Sequence, residues 1–306
     1  MIHIPTGTYK ISRNLLCTKS NIHIVGDGEG ATVLSFSHAT DDLITIGDGS
    51  ANPNNCSISS LSITSSVAKS GGAAIRFRNG HNLRVSHVRL DSNLHYGIQL
   101  DGGEQQFLYY IDNFEINSGQ IGVLVGNDGT LVQDLWINTG IVSNTTGAGI
   151  YLKHVSGFYL YGLDLLGCGS GVVTYPTSGE HVIAGWFDTI ISDTCNSHGW
   201  AIITNGGLVA ELTLTACWGS SCGVTDNGHG MYFDTGTGSI KGVSINAPRC
   251  INNKGNGIFI ASGEDFSINN PQCLANSQQG AGVKHGIEIG TGLQQWSISG
   301  GVSGLS

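Results

Sequence analysis

Three carboxylates have the surroundings that acid–base chemistry needs. Glu115, Asp164 and Asp188 each sit between two residues that read as core, in Phe114-Glu-Ile116, Leu163-Asp-Leu165 and Phe187-Asp-Thr189. That setting projects the carboxyl outward from a short strand whose other residues face inward. Two such groups held roughly 5–5.5 Å apart carry out retaining glycoside hydrolysis, whereas ~6.5–9.5 Å leaves room for a water and gives inversion. One of the two must keep its proton to act as the acid. The expected assignment is Asp188 as acid and Asp164 as nucleophile or base, with Glu115 as the alternative partner. Trp136, Tyr159, Tyr161, Trp186 and Trp218 fall nearby, flanked by Arg89 and Arg249. Aromatic faces beside carboxylates suit a sugar chain, whose C–H faces stack while its hydroxyls and scissile bond meet polar groups.

What brings these residues together is a repeat. A glycine followed by apolar, any, apolar recurs as Gly97-Ile-Gln-Leu, Gly122-Val-Leu-Val, Gly149-Ile-Tyr-Leu, Gly171-Val-Val-Thr, Gly199-Trp-Ala-Ile, Gly230-Met-Tyr-Phe, Gly257-Ile-Phe-Ile and Gly286-Ile-Glu-Ile, at intervals of 22 to 31 residues. Most copies follow a polar turn such as Asn117-Ser118, Ser143-Asn144 or Asn252-Asn253, itself preceded by two short alternating runs. Each unit is thus three short strands with period-two apolar residues. Three strands cannot bury their own inward face, so the units must stack into a solenoid. The fold class is all-β: a single right-handed parallel β-helix over 1–306, with three strands per coil and roughly 11–12 coils rising about 4.8 Å each. Residues 1–50 form the opening coils and 51–306 the regular ones.

In a stack of coils, equivalent residues form vertical columns. Aligned on the strand before the Asn/Ser turn, one outward column reads Arg89, Glu115, Ile141, Asp164, Asp188, Trp218, Arg249, Gln272. The neighbouring strand gives Arg84, Tyr110, Trp136, Tyr159 and Ile183, with Tyr161 and Trp186 in the turn between. This alignment puts Asp164 and Asp188 on adjacent coils and Glu115 two coils from Asp164, about 9.6 Å between backbones.

Composition removes other classes. The net charge of −9, from 13 Lys plus Arg against 22 Asp plus Glu, comes without a basic cluster and argues against nucleic acid or anionic membranes. No run approaches the ~20 apolar residues of a membrane-spanning helix. Eight cysteines in 306 residues are too sparse for a disulfide scaffold and lack zinc-finger spacing, so they read as buried thiols. No metal or cofactor is expected.

The opening segment His3-Ile-Pro-Thr-Gly-Thr-Tyr-Lys-Ile11, followed by Asn21-Ile-His-Ile-Val-Gly-Asp-Gly28, resembles that of the pectate-lyase-like superfamily, notably phage tailspike depolymerases and polygalacturonase relatives. The resemblance implies an endo-acting hydrolase of a bacterial surface or capsular polysaccharide, extracellular or virion-associated, with a homotrimer as one expected assembly. It also implies a capping helix before the opening motif. None is present in the sequence, so the chain reads as a β-helix cut at both ends.

Two alternatives stand beside hydrolysis. Lys153, His154 and Tyr175 suit a lyase in which a base removes a proton next to a uronate carboxylate, and Glu180 and His181 are separate candidates on a long excursion of the kind that forms groove walls. The Trp-Ile-Asp-His and Arg-x-Pro-x-x-Arg motifs of pectate lyases are absent, however, and Ser197-His198-Gly199 alone echoes a polygalacturonase motif. A non-catalytic carbohydrate-binding shaft would keep the aromatics without needing the carboxylates.

Overall fold

Tyr9, Leu34, Ile63, Leu90, Ile116, Val142 and Leu165 are successive Cα partners in parallel pairings, one per turn of the chain. The same ladder continues through Ser192 and Gly219. The computed structural model describes residues 1–102, 108–278 and 285–304, and apart from one short 3-10 turn its regular structure is all strand. The architecture is a right-handed parallel β-helix, the fold class that the repeat dictates.

Three faces run along the solenoid. The glycine face carries the Gly-apolar strands, among them Tyr96–Asp101, Ser170–Thr174, Trp200–Ile203 and Met231–Asp234. An aromatic face follows it, comprising 84–86, 110–112, 136–138, 159–161 and 186–188. An acidic face completes the turn with 89–91, 115–117, 141–143, 164–166 and then Ile191–Asp193, Trp218–Ser220 and Arg249–Ile251. Inward residues of all three make one continuous core, including Leu83, Val85, Val88, Leu90, Leu163, Leu165 and Phe187.

The recurring glycine has a steric cause. A Cβ on Gly122 would press on the carbonyl of Gly149, and one on Gly149 on the carbonyl of Gly171, because successive turns approach backbone to backbone there. Large and small residues also alternate up one interior column. Phe158 occupies the space a Cβ of Gly185 would need, as Phe114 does for Gly140.

Corners between the aromatic and acidic faces consist of one left-handed residue per turn: Asn113 (φ 48°), Thr139 (49°), Gly162 (61°), Thr189 (53°), Ala216 (51°) and Ala247 (49°). Glycine and asparagine adopt this region readily, whereas β-branched threonine does not. The ladders above and below hold Thr139 and Thr189 in it.

Thr189 is where the sequence alignment slips. Phe187 and Thr189 resemble an inward pair, but the bend at Thr189 ends one strand and the inward pair of the next is Ile190 and Ser192, both fully buried. The outward residue between them is Ile191, which pairs with Asp164 below and Trp218 above. Asp188 therefore leaves the acidic face and stands opposite Tyr161 on the aromatic face. A second bend at Ala184 (φ 53°) does the same to Ile183, which pairs with Ser156, so that Trp186 takes the place over Tyr159. Trp186 and Tyr161 are thus strand residues and not turn residues.

The thiols behave as the sequence suggests. All eight cysteines are free, with Cys17 half-buried and the others buried. Between Cys250 and the end of the core runs a ladder of buried amides. Asn253 accepts the Cys222 N–H (3.0 Å) and donates to the Gly219 carbonyl (2.8 Å) and to Asn276 Oδ1 (2.9 Å), while Asn276 donates to the Cys250 carbonyl (2.8 Å).

Candidate functional site

Tyr110, Trp136, Tyr159 and Trp186 are consecutive Cα partners on the aromatic face, with Arg84 before them. Tyr110 and Trp136 stack at 5.0 Å between ring centroids, and the Arg84 guanidinium lies 4.3 Å over the Tyr110 ring. Tyr159 and Tyr161, two residues apart on one strand, are nearly parallel at 6.3 Å. Trp186 and Tyr161 remain 49% and 45% exposed, so their rings are open to a ligand. A cavity of about 450 Å³ opens beside this ladder, lined by Asp134, Trp136, Gly157, Phe158, Tyr159 and Trp186.

Asp188 lies at the foot of these rings. Its Oδ2 accepts the Tyr159 hydroxyl at 3.4 Å and its Oδ1 the Thr189 hydroxyl at 2.7 Å. Both oxygens are engaged as acceptors, which fits a group that orients hydroxyls. The proximity raises the Tyr159 phenol above its ordinary value, through burial first and the Asp188 charge second.

Around the corner, Glu115 and Asp164 line one recess of about 550 Å³ together with His87, Asn113, Thr139, Ile141 and Gly162. Two pairings separate them, Glu115 to Ile141 and Ile141 to Asp164, so their backbones are about 9.6 Å apart. Arg89 stands on the next turn below Glu115, with Nη2 3.8 Å from Glu115 Oε1 and 3.2 Å from Asp91 Oδ2.

Asp164 is the perturbed carboxyl of the site. Burial, and then the charge of Asp193, push its pKa above the ordinary carboxylate value. Its Oδ1 is buried without a hydrogen-bond partner, and so is Oδ1 of Asp193. Leu166 pairs with Asp193 while Asp164 pairs with Ile191, which makes the two acids diagonal neighbours on the acidic face. Sequence reasoning missed Asp193 because the slip at Thr189 displaced its whole strand. Farther along, Trp218 and Arg249 are partners, and the Arg249 guanidinium lies 4.1 Å over the Trp218 ring with Nε buried and unpartnered.

The structure thus brings Trp136, Tyr159, Tyr161, Trp186 and Asp188 together on one face, and Arg89, Glu115, Asp164, Trp218 and Arg249 in one column of the next. It does not stack Asp164 on Asp188, and Trp218 neighbours Ile191 instead of Asp188. Among the described residues, no group of three or more His, Cys, Asp or Glu is placed to hold a metal ion.

A family model described as "Rhamnogalacturonase A/epimerase, pectate lyase-like" matches residues 1–173, more than half of the chain. The chain belongs to this family. No curated protein matches it in sequence. Among solved structures, the family member resembles the A-module of mannuronan C-5 epimerase AlgE6 from Azotobacter vinelandii, with a TM-score of 0.61 at 11% identity over 99% of this chain and 91% of that one. Tailspike protein 3 of bacteriophage CBA120 gives a TM-score of 0.60 at 13% identity, covering 97% of this chain and 54% of the tailspike chain. The catalytic unit of a GH87 α-1,3-glucanase from Streptomyces thermodiastaticus gives 0.59 at 14% identity, covering 97% and 63%. At such identities the likeness is one of fold.

Proposed function

We propose that the protein is an endo-acting polysaccharide hydrolase whose substrate lies along the aromatic ladder and is cut in the recess holding Glu115 and Asp164. The single observation that carries this reading is that recess: two outward carboxyls two turns apart, in unlike environments, around the corner from a column of aromatic residues. Asp164, raised by burial, keeps the proton and delivers it to the leaving glycosidic oxygen. Glu115, held by Arg89, takes a proton from the water that attacks the anomeric carbon from the opposite side. A spacing of about 9.6 Å between backbones lies at the upper edge of the ~6.5–9.5 Å between carboxyls that inversion requires. Asp188, with Tyr159 and Tyr161, orients hydroxyls of the bound chain, and Trp136, Trp186 and Trp218 offer ring faces. The names of the tailspike and glucanase neighbours support a polysaccharide as substrate and a place of work outside the cell or on a virion.

The test is release of reducing ends from a panel of bacterial capsular and surface polysaccharides and neutral glucans, by the native protein and by Asp164→Asn and Glu115→Gln. Cleavage by the native protein, lost in both variants with binding retained, is expected. Undiminished cleavage by either variant would refute the assignment.

One observation favours a second reading, β-elimination where the glycine face leads into the aromatic face. His154 Nδ1 lies 3.1 Å from the Gly129 carbonyl, which fixes the proton on Nδ1 and leaves Nε2 buried, unpartnered and edge-on to His181 at 4.6 Å. Lys153 sits 3.7 Å from Glu180 in the same cluster. Products with an unsaturated uronate end, abolished in His154→Ala and kept in Asp164→Asn, would establish this reading in place of the first.

A further inference from the structure

On the glycine face, side chains of successive turns hold up one another's backbone. The His229 N–H donates to His198 Nδ1 at 3.0 Å, the Asn256 N–H to His229 Nδ1 at 2.9 Å, and the His285 N–H to Asn256 Oδ1 at 2.7 Å. The two imidazoles lie nearly parallel, 5.3 Å apart between centroids, and both stack on Tyr232, at 4.9 Å for His198 and 5.6 Å for His229. Since each Nδ1 accepts a backbone N–H, each neutral ring carries its proton on Nε2.

Each rung performs the same task, but only two of the three acceptors are imidazole nitrogens. Asn256 accepts through an amide oxygen and passes its own Nδ2 hydrogen to Glu288 Oε2 at 2.6 Å. The seam also borders a cavity. Asn196, Ser197 and Thr225, which flank this stack in sequence, line a cleft of about 480 Å³ with Tyr151 and Val173. The segment after Cys222 is pinned onto the turn before His198 by Gly223 N–H to the Cys195 and Ser197 carbonyls (3.0 and 2.8 Å) and Thr225 N–H to the Asn196 carbonyl (3.1 Å).

We propose that His198 and His229 form an acid-releasable seam: a proton taken up at Nδ1 of either ring abolishes the acceptor on which the next turn's N–H rests and loosens the cavity wall between them. No bond other than N–H is made, and the only co-reactant is the proton. Among the described residues, the following groups face the seam. Asp226 bears on His198 and draws its pKa upward, while burial, the larger cause, draws it down, with a net lowering. Tyr232 covers both rings and donates its hydroxyl to Asp234 Oδ2 at 2.8 Å. Phe259 meets His229 edge-on at 5.2 Å, and Glu288 is engaged with Asn256. Lys254, farther out, donates to the Val224 carbonyl. A ring whose folded form resists protonation gives stability that is complete above the ordinary imidazole value of ~6.5 and declines as pH falls below it.

Residue-resolved amide exchange on the unmodified protein, at about pH 7.5 and about pH 5, tests this with an internal control. Protection of the His229 and Asn256 amides, corrected for intrinsic rate, is expected to fall at about pH 5, by at most about thirtyfold given the ~1.5 units between that pH and the ordinary imidazole value, while the His285 amide, resting on Asn256, holds its value. The double variant His198→Asn/His229→Asn, which puts the third rung's chemistry at all three, is expected to remove the difference. Equal loss at all three amides of the native protein, or no loss at His229 and Asn256, would overturn the proposal whether or not the variant folds.

Discussion

Asp164 faces Ile191 on the following turn, whereas Asp188 faces Tyr161. The two acids that look like a pair in the sequence therefore belong to different faces of the solenoid, separated by the left-handed bend at Thr189. The carboxyl that shares a recess with Asp164 is Glu115, and the one that bears on it electrostatically is Asp193.

Replacing Asp164 by Asn removes the proton donor, so kcat on a cleaved polysaccharide should fall by about 10²–10⁴. Asp188→Asn should act chiefly on KM, because it removes an acceptor for hydroxyls and not the acid. Steady-state kinetics of the two variants on one substrate separate these roles. Equal losses of kcat would place Asp188 back in the chemistry.

The raised pKa of Asp164 fixes the sign of two pH effects. Activity requires its protonated form and so declines as pH rises through that value. Asp193→Asn withdraws a negative charge and should move this alkaline limb of kcat/KM toward lower pH. A folded-state value above the unfolded one means that ionising Asp164 opposes folding, so Asp164→Asn should be more stable than the native protein at pH 7. That advantage should vanish below about pH 4, where the carboxyl is protonated in both states. Thermal melts across this range measure it.

Trp186→Ala and Trp136→Ala should weaken binding of the polysaccharide roughly two- to tenfold each, the equivalent of about 0.5–1.5 kcal/mol per lost stacking contact. Trp186 is half exposed, so its loss should leave the melting temperature nearly unchanged. Affinity electrophoresis in gels containing the substrate reads the binding and calorimetry reads the melt. A large fall in stability with Trp186→Ala would mean that the ring serves packing instead.

Gly185→Ala places a methyl group against the Phe158 ring and should destabilise the fold by about 1–3 kcal/mol. Adding Phe158→Leu should recover part of that loss. Failure of the second substitution to help would show that backbone spacing and not the ring sets the limit. The exposed Tyr161, on the same turn, tolerates Ala without comparable loss.

Asn253→Ala strips acceptors and donors from a buried ladder. The Cys222 N–H, the Gly219 carbonyl and Asn276 Oδ1 all lose a partner. At about 1–3 kcal/mol for each buried group left unsatisfied, urea unfolding should show one of the largest losses of any single substitution in this region.

Much of the acidic column was legible from spacing alone. Arg89, Glu115, Ile141 and Asp164 stack as the repeat predicts, and Trp218, Arg249 and Gln272 follow in order. Tyr110, Trp136 and Tyr159 likewise stack as expected. The misplaced residues cluster between Ala184 and Thr189. There the run Phe187-Asp-Thr189 looks like an outward acid between two inward residues, although Thr189 is itself the left-handed corner, as Thr139 and Ala216 are on their turns. Asp193 and the histidine seam left no signal, since each depends on which side chain of one turn lies beside which atom of the next.

The sequence by itself determined that the chain is a parallel β-helix, because a recurring Gly-apolar strand with period-two alternation has no other way to bury its inward face. It also determined that rings and carboxyls line the outside. Only the tertiary structure decided which acids meet. A left-handed residue sets where one strand ends and the next face begins, and the backbone energy that permits it at Thr189 comes from the turns stacked on either side of it, not from the residue itself.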